Sequence, residues 1–238
     1  VVTPDTTFQG EVLVNGAVIA CAGSTCSNQA EAVGATVVDT HGMIFPGMID
    51  THNHVLYNVF DEADWTPKKL YSSHDDWPKE AEYQAMQDCY DYLINPTSQG
   101  GSNLDCEIVK YGELKALIAG TTSMLGEAKG SPQACYASLI RSIDGQFSDL
   151  PKSQRTGPCL DAPPDTFTQA TSSADHIQAA ALGIGTVDET GARQNFRNCK
   201  TWSYVVHVGE GVQGNTTAYN EWNAVKSKNL DVNQVSIV

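Results

Sequence analysis

From about residue 107 onward, helical and strand-like patterns alternate along the chain. Glu107 to Ala119 carries apolar residues at helical spacing (Ile108, Leu114, Leu117, Ile118), and Gly120 to Leu125 reads as a buried strand. Ala134 to Ile143 predicts another strand ending near Arg141, and His176 to Ile184 and Glu189 to Cys199 predict helices. Thr201 to Val208 predicts a strand, Thr216 to Lys228 a helix, and Val232 to Val238 the start of one more strand. Alternation of this kind calls for a parallel sheet with helices packed outside it, because parallel strands need long crossovers. In such folds the reactive groups collect at the carboxyl ends of the strands.

The chain before that point is organised differently. Glu11 to Val14 and Ala17 to Ala20 flank Asn15-Gly16, a pair suited to a type I′ hairpin turn. Ala35 to Asp39 predicts a further strand, closed by His41-Gly42. Met43 to Asp50 is an apolar run broken by Pro46-Gly47, where the chain is expected to leave a small sheet and enter a larger one. Lys79 to Leu93 predicts a helix within a polar, aromatic stretch. Residues 144–175, rich in Pro, Ser, Thr and Asp, read as a long excursion.

Two constellations carry chemistry. In Phe45-Pro-Gly-Met-Ile-Asp-Thr-His-Asn-His54, His52 and His54 stand at i and i+2, so an extended strand projects both imidazoles from one face. Paired imidazoles on a rigid strand suit Zn²⁺ or Fe²⁺. Asp50 shares their parity and is placed to orient a ligand or shape the strand end. The bland alternative is a surface His-x-His pair; the apolar strand and the Pro-Gly before it argue for a metal. The second constellation is Trp202-Ser-Tyr-Val-Val-His207-Val-Gly-Glu210, an apolar strand ending in a histidine with a glutamate three residues on. If the strand ends near Val208-Gly209, His207 serves as a third ligand and Glu210 as a proton shuttle. A strand-end histidine followed by a solvated glutamate is the alternative.

The order and spacing of these elements resemble the amidohydrolase superfamily. Pro-Gly-x-Ile-Asp-x-His-x-His at residues 46–54, the preceding small β-region and Gly120-Thr121-Thr122 all look like that family. His-x-x-Glu at residues 207–210 is similar to the branch containing cytosine and guanine deaminases, triazine chlorohydrolases and imidazolonepropionase. Residues 56–106 and 144–200 match no pattern of the family.

The resemblance implies an α/β fold, a distorted (β/α)8 TIM-type barrel beside a small β-sandwich. Residues 1–43 would belong to the sandwich and residues 44–238 to roughly the first six strands of the barrel. It implies one divalent transition metal, zinc before iron or manganese, held by His52, His54, His207 and an eighth-strand aspartate. A sixth-strand histidine would assist with substrate. The sequence stops just before that histidine is due, so the remaining half of the barrel is expected on further chain. The activity implied is hydrolysis of a C–N bond in an amide, an amidine or an amino-substituted ring, with Glu210 as the catalytic acid and base. A heteroaromatic chlorohydrolase, or an inactive barrel used for binding, are the other readings. Lys110, Lys115 and Lys129 are not clearly at a strand end, which disfavours a carbamate-bridged pair of metals.

Net charge −14 repels phosphate backbones and anionic surfaces, which argues against nucleic acid but identifies no substrate; the small-molecule substrate expected as partner is what the resemblance implies. No run approaches the roughly 18 apolar residues of a membrane span. A homo-oligomeric state is left open. Seven cysteines, with Cys21 and Cys26 close enough to staple a short loop, favour a few disulfides, one unpaired thiol and a periplasmic or secreted location over a cytoplasmic one. Reduced, scattered cysteines are the competing reading. Lesser candidates for substrate binding are Arg141, His74 and Trp77, with Tyr71 and Trp65 as further aromatic walls. An ion pair, a solvated loop histidine and aromatic packing are their ordinary roles. His41 is expected in a turn and His176 at a helix start, and Asn215-Thr-Thr217 matches a glycosylation sequon.

Overall fold

The Asn15-Gly16 pair does turn the chain, but one residue out of the expected register. In a computed structural model of the chain, β1 (Glu11–Asn15) pairs antiparallel with β2 (Val18–Gly23), and Asn15 lies opposite Val18. The two-residue loop is therefore Gly16-Ala17. Of these two only Gly16 has positive φ, at 60°, which is the type II′ pattern rather than type I′. The structure describes residues 1–95, 97, 101–126, 135, 138–143, 156–158, 160, 167–169, 177–180, 189–198, 203–233 and 235–237.

The chain divides into two units, Val1–Met48 and Ile49–Val238. Within the first, Cys21 and Cys26 are paired, and the Cys26 amide donates to the Glu11 carboxylate at 2.7 Å, drawing the loop after β2 back to β1. The expected strand at Ala35 to Asp39 is not formed. Among the described residues no neighbouring strand accepts its backbone, and Val37 and Val38 stand exposed.

The second unit holds two three-stranded sheets. One has the order β3 (Met48–Asp50), β4 (Thr121–Met124), β5 (Arg141–Ser142), with β4 and β5 parallel. The other has β9 (Ser203–Val206) between β8 (Ile177–Ala180) and β10 (Val235–Ile237), all parallel. Tyr204, Val205 and Val206 are all buried, as expected of a central parallel strand covered on both faces. A short antiparallel ribbon, β6 (Thr156–Pro158) with β7 (Phe167–Gln169), falls inside the long excursion. The described strands form these separate sheets and do not close into a ring.

Four helices form where helices are expected, α1 (Ala81–Ile94), α2 (Asp105–Ile118), α3 (Glu189–Arg197) and α4 (Thr216–Ser227). Of the apolar set that marked α2, however, only Ile108 is buried, and Leu114, Leu117 and Ile118 are exposed. In α2, Ile108 and Val109 turn inward to join Val55, Leu56, Met124 and Ile140 in one core. Asp105 and Glu107 in its first turn and Lys115 in its last complement the helix dipole. A second core gathers Ala192 and Phe196 of α3, Tyr204 and Val206 of β9, Val225 of α4, and Val208 and Leu230. Asn215 caps α4 by accepting from the Ala218 amide at 2.9 Å, so the first residue of the sequon has a structural duty.

Two elements depart from the sequence expectation. Ile177–Ala180, read as helical, is a strand, because four residues of β9 pair with it and this tertiary pairing overrides alanine's helical preference. His176 and residues 181–188 lie outside the described residues. Of the strand expected over 134–143, residues 134, 136 and 137 lie outside the described residues, Ser138 to Ile140 are not in a strand, and β5 is begun rather than ended by Arg141. The buried Glu113 carboxylate on α2 accepts from the Ser138 amide (3.3 Å), the Ser138 hydroxyl (2.9 Å) and the Leu139 amide (2.7 Å). Amides so engaged are unavailable to a sheet ladder.

No helix among the described residues is long and apolar enough to cross a membrane. Cys106 of α2 pairs with Cys135, Cys89 is a free exposed thiol, and Cys159 and Cys199 lie outside the described residues. The Cys106–Cys135 link spans a separation of 29 residues and ties α2 to the segment leading into β5. Constraining a loop of that length is worth roughly 3.5 kcal/mol. Cys106→Ser is expected to lower unfolding free energy by about that amount, measured by urea denaturation under oxidising conditions.

Candidate metal centre

β3 ends at Asp50, and His52 and His54 follow on irregular chain immediately past it, rather than on the strand itself as expected. A chain of hydrogen bonds replaces the sheet ladder there. Asp50 Oδ1 accepts from the His52 amide at 3.1 Å, and Asp50 Oδ2 accepts from Asn53 Nδ2 at 2.7 Å. Asn53 Oδ1 in turn accepts from Asn58 Nδ2 at 3.0 Å, and Lys115 Nζ donates to the Asn58 carbonyl at 2.8 Å. Val55 and Leu56, at the start of a single 3-10 turn over Val55–Tyr57, are buried and root the far end. The alternation expected of a strand thus survives beyond it. Asn53 is anchored on one side, and both imidazoles stand on the other.

His207 follows directly on β9, so its ring is delivered from the carboxyl end of the central strand of the other sheet. His52 Nε2 lies 2.9 Å from His207 Nε2 and 3.3 Å from His54 Nε2, and ligand atoms of all three rings lie within 4.8 Å of one another. Zinc–nitrogen bonds of about 2.0–2.1 Å in tetrahedral geometry separate two nitrogens by about 3.3 Å. The donor set fits a small divalent ion: three neutral-capable imidazoles meeting through the same ring atom.

The His54 ring is held below the ordinary histidine pKa of 6.5, first by partial desolvation and then by the neighbouring His207 and His52 rings; Glu210 opposes the shift. That opposition is the pull of the Glu210 negative charge on the His54 ring. Because the folded state binds the His54 proton more weakly than the unfolded chain, folding is favoured above pH 6.5 and loses ground as pH falls below it.

Glu210 sits on the loop between β9 and α4. Gly209, at φ 78°, turns the chain, and its amide donates to Glu221 Oε2 at 2.8 Å. His74, expected on a solvated or substrate-lining loop, is enclosed instead. Its Nδ1 is 3.2 Å from Glu210 Oε2, and its Nε2 is 3.1 Å from Glu221 Oε1 and 3.5 Å from Asp75 Oδ1. Trp77 presents itself edge-on to the His74 ring at 6.2 Å, and Tyr71 packs beside Trp77. Trp65 packs against Tyr83 of α1. Arg141 lies within β5 opposite Ser123, not past the strand end. Lys110 and Lys115 lie on α2, and Lys129 is outside the described residues. Glu221, Asn53 and Asn58 were not singled out from sequence. No periodic or motif signal marks them, since each acts through partners brought near by folding.

No family profile, curated protein or solved structure matches the chain.

Two outcomes are expected of this geometry. A Cβ on Gly126, at φ 118°, would lie 1.7 Å from the Asn53 carbonyl oxygen, between the two histidines in sequence. Gly126→Ala is therefore expected to weaken Zn²⁺ binding by about 10–100-fold, the range for lost outer support, read by chelator competition. In the metal-free chain, His54→Asn should flatten the loss of stability that sets in below pH 6.5, compared by urea denaturation at several pH values.

Proposed function

We propose that the chain carries the first strands of an amidohydrolase-like (β/α)8 barrel, and that His52, His54 and His207 hold one divalent transition ion, zinc before iron or manganese. The observation that carries this reading is the meeting of three Nε2 atoms, with 2.9 and 3.3 Å between neighbours, from two strand ends far apart in sequence. Sheet topology supports it as well. β3, β4 and β5 stand in chain order, as do β8, β9 and β10, and the pairings β4–β5, β8–β9 and β9–β10 are parallel, as a (β/α)8 barrel requires.

The reaction proposed is hydrolysis of a C–N bond in an amide, an amidine or an amino-substituted ring. When bound, a divalent ion lowers the pKa of water from about 15.7 towards about 7 and stabilises negative charge on a substrate oxygen or nitrogen. Glu210 takes a proton at its carboxylate and returns it to the leaving nitrogen. Asp50 keeps His52 in place through the backbone, and the depressed basicity of His54 leaves its ring neutral and able to donate its lone pair at neutral pH. Trp77 and Tyr71 line the flank of the His74 loop, where a flat apolar substrate finds an aromatic wall. The cysteine pairs Cys21–Cys26 and Cys106–Cys135 favour residence in an oxidising compartment, periplasmic or secreted.

Elemental analysis of the purified, dialysed chain tests the site. One equivalent of transition metal is expected, falling below about a tenth in the His52→Ala/His54→Ala double variant and in His207→Ala, with far-UV circular dichroism unchanged. Metal content that survives His207→Ala would sink the three-ligand reading.

A further inference from the structure

We infer that His74 is a positioning residue, which fixes the Glu210 carboxylate on the loop three residues past His207 while Glu221 of α4 anchors it from the opposite side. This rests on the reading of Glu210 as the proton carrier of a metal site. It assigns His74 a task other than touching substrate, since each of its ring nitrogens already faces a carboxylate oxygen.

The loop that carries His74 is built to hold one shape. Asp76 accepts from the Ser72 hydroxyl at 2.6 Å, from Lys79 Nζ at 3.0 Å and from the Ser73 amide at 3.3 Å. The Ser72 hydroxyl foremost, then Lys79, brings the Asp76 carboxyl down to about 2. The loop is also docked by its backbone onto the segment after β9. The His74 amide donates to the Glu210 carbonyl at 3.0 Å, the Val212 amide donates to the Ser72 carbonyl at 3.1 Å, and Ser73 bridges to Gly211. Ser73 is buried, and a Cβ on Gly211 would come within 2.6 Å of the Ser72 carbonyl oxygen, so the two segments lie in close contact.

Backbone and ring therefore address the same residue. Glu210 is held at its carbonyl by the His74 amide and at Oε2 by the His74 ring, which removes most of its rotamer freedom. Glu221 completes the clamp. One of its oxygens faces His74 Nε2 at 3.1 Å and the other takes the Gly209 amide at 2.8 Å, so the same carboxylate steadies both the ring and the turn before Glu210. With Oε2 engaged, Oε1 is the oxygen left to carry the reacting proton. A free glutamate would need to find that orientation at each turnover; the clamped one begins there.

The test uses the 238-residue chain loaded with Co²⁺, with acetohydroxamate as the probe, because its two oxygens chelate a metal ion and it hydrogen-bonds to an adjacent carboxylate. Binding is read from the visible cobalt spectrum for the unsubstituted chain, His74→Ala, Glu210→Gln and the double variant. Each single change is expected to weaken the probe by about tenfold, one charged hydrogen bond's share, with the double variant no weaker than Glu210→Gln and cobalt retained at one per chain. Glu221→Gln, which leaves the docked loop untouched, should weaken the probe in the same direction. A second readout needs no metal: in ¹⁵N-histidine-labelled chain, the downfield ring N–H proton of His74 should shift in Glu210→Gln. Additive losses in the double variant, or a His74 ring signal indifferent to Glu210→Gln, overturn the role of His74 while the metal site stands. Failure of the unsubstituted chain to take up cobalt overturns the metal reading and this role together.

Discussion

One carboxylate decides where the paired histidines stand. The ladder of β3 gives out at Asp50, and without a substitute the next residues would be free to wander. Asp50 supplies that substitute by taking the His52 amide with one oxygen and the Asn53 side chain with the other. Asn53 then passes the restraint on through Asn58 to Lys115 of α2, so the loop is tied to a helix whose buried face is part of the core. An unpaired carboxylate at a strand end would cost desolvation and give nothing back; here both oxygens are used. The same economy recurs at Glu113 and Glu221, each of which spends one side chain on two or more backbone or ring partners.

How much of this was legible in the sequence follows from what each element depends on. α1, α2 and α4 were readable because helix-forming patterns are local, although Leu114, Leu117 and Ile118, whose spacing marked α2, stand exposed. β9 was readable because Tyr204-Val-Val206 is an unbroken apolar run that ends in a histidine. β8 was not, since Ile177 to Ala180 takes its conformation from the edge of β9 and not from its own preferences. β5 was overestimated because the amides of Ser138 and Leu139 go to Glu113, a partner 25 or more positions away. The hairpin was found but slipped by one residue, because Gly16 at the first loop position suits the type II′ turn as well as Asn15-Gly16 suits type I′.

The site shows the same division. His52, His54 and His207 were picked out by residue type and position, and the fold brings them together. Their exact footing was not foreseen, since the strand stops two residues short of His52 and side-chain bonds take over. His74 was noticed for its chemistry, but its carboxylate partners were not foreseen. Nothing in Ser72-Ser-His-Asp75 says that the loop will dock against residues 210–212, or that a glutamate of α4 will meet the ring from behind. Long-range partners leave no local trace, and a single sequence holds no other kind.

The three imidazoles come from chain positions as much as 155 residues apart and from the ends of two separate sheets, each with its own apolar core. An ion gripped there is a staple as well as a chemical tool. Bound at the proposed site, it would join positions 155 residues apart and add to the cohesion that the contacts of residues 72–74 with residues 210–212 already give. Free metal at a thousand times its dissociation constant would add about 4 kcal/mol to that cohesion. On that proposal folding and metal supply would share one equilibrium, and a starved chain would be looser before it was idle.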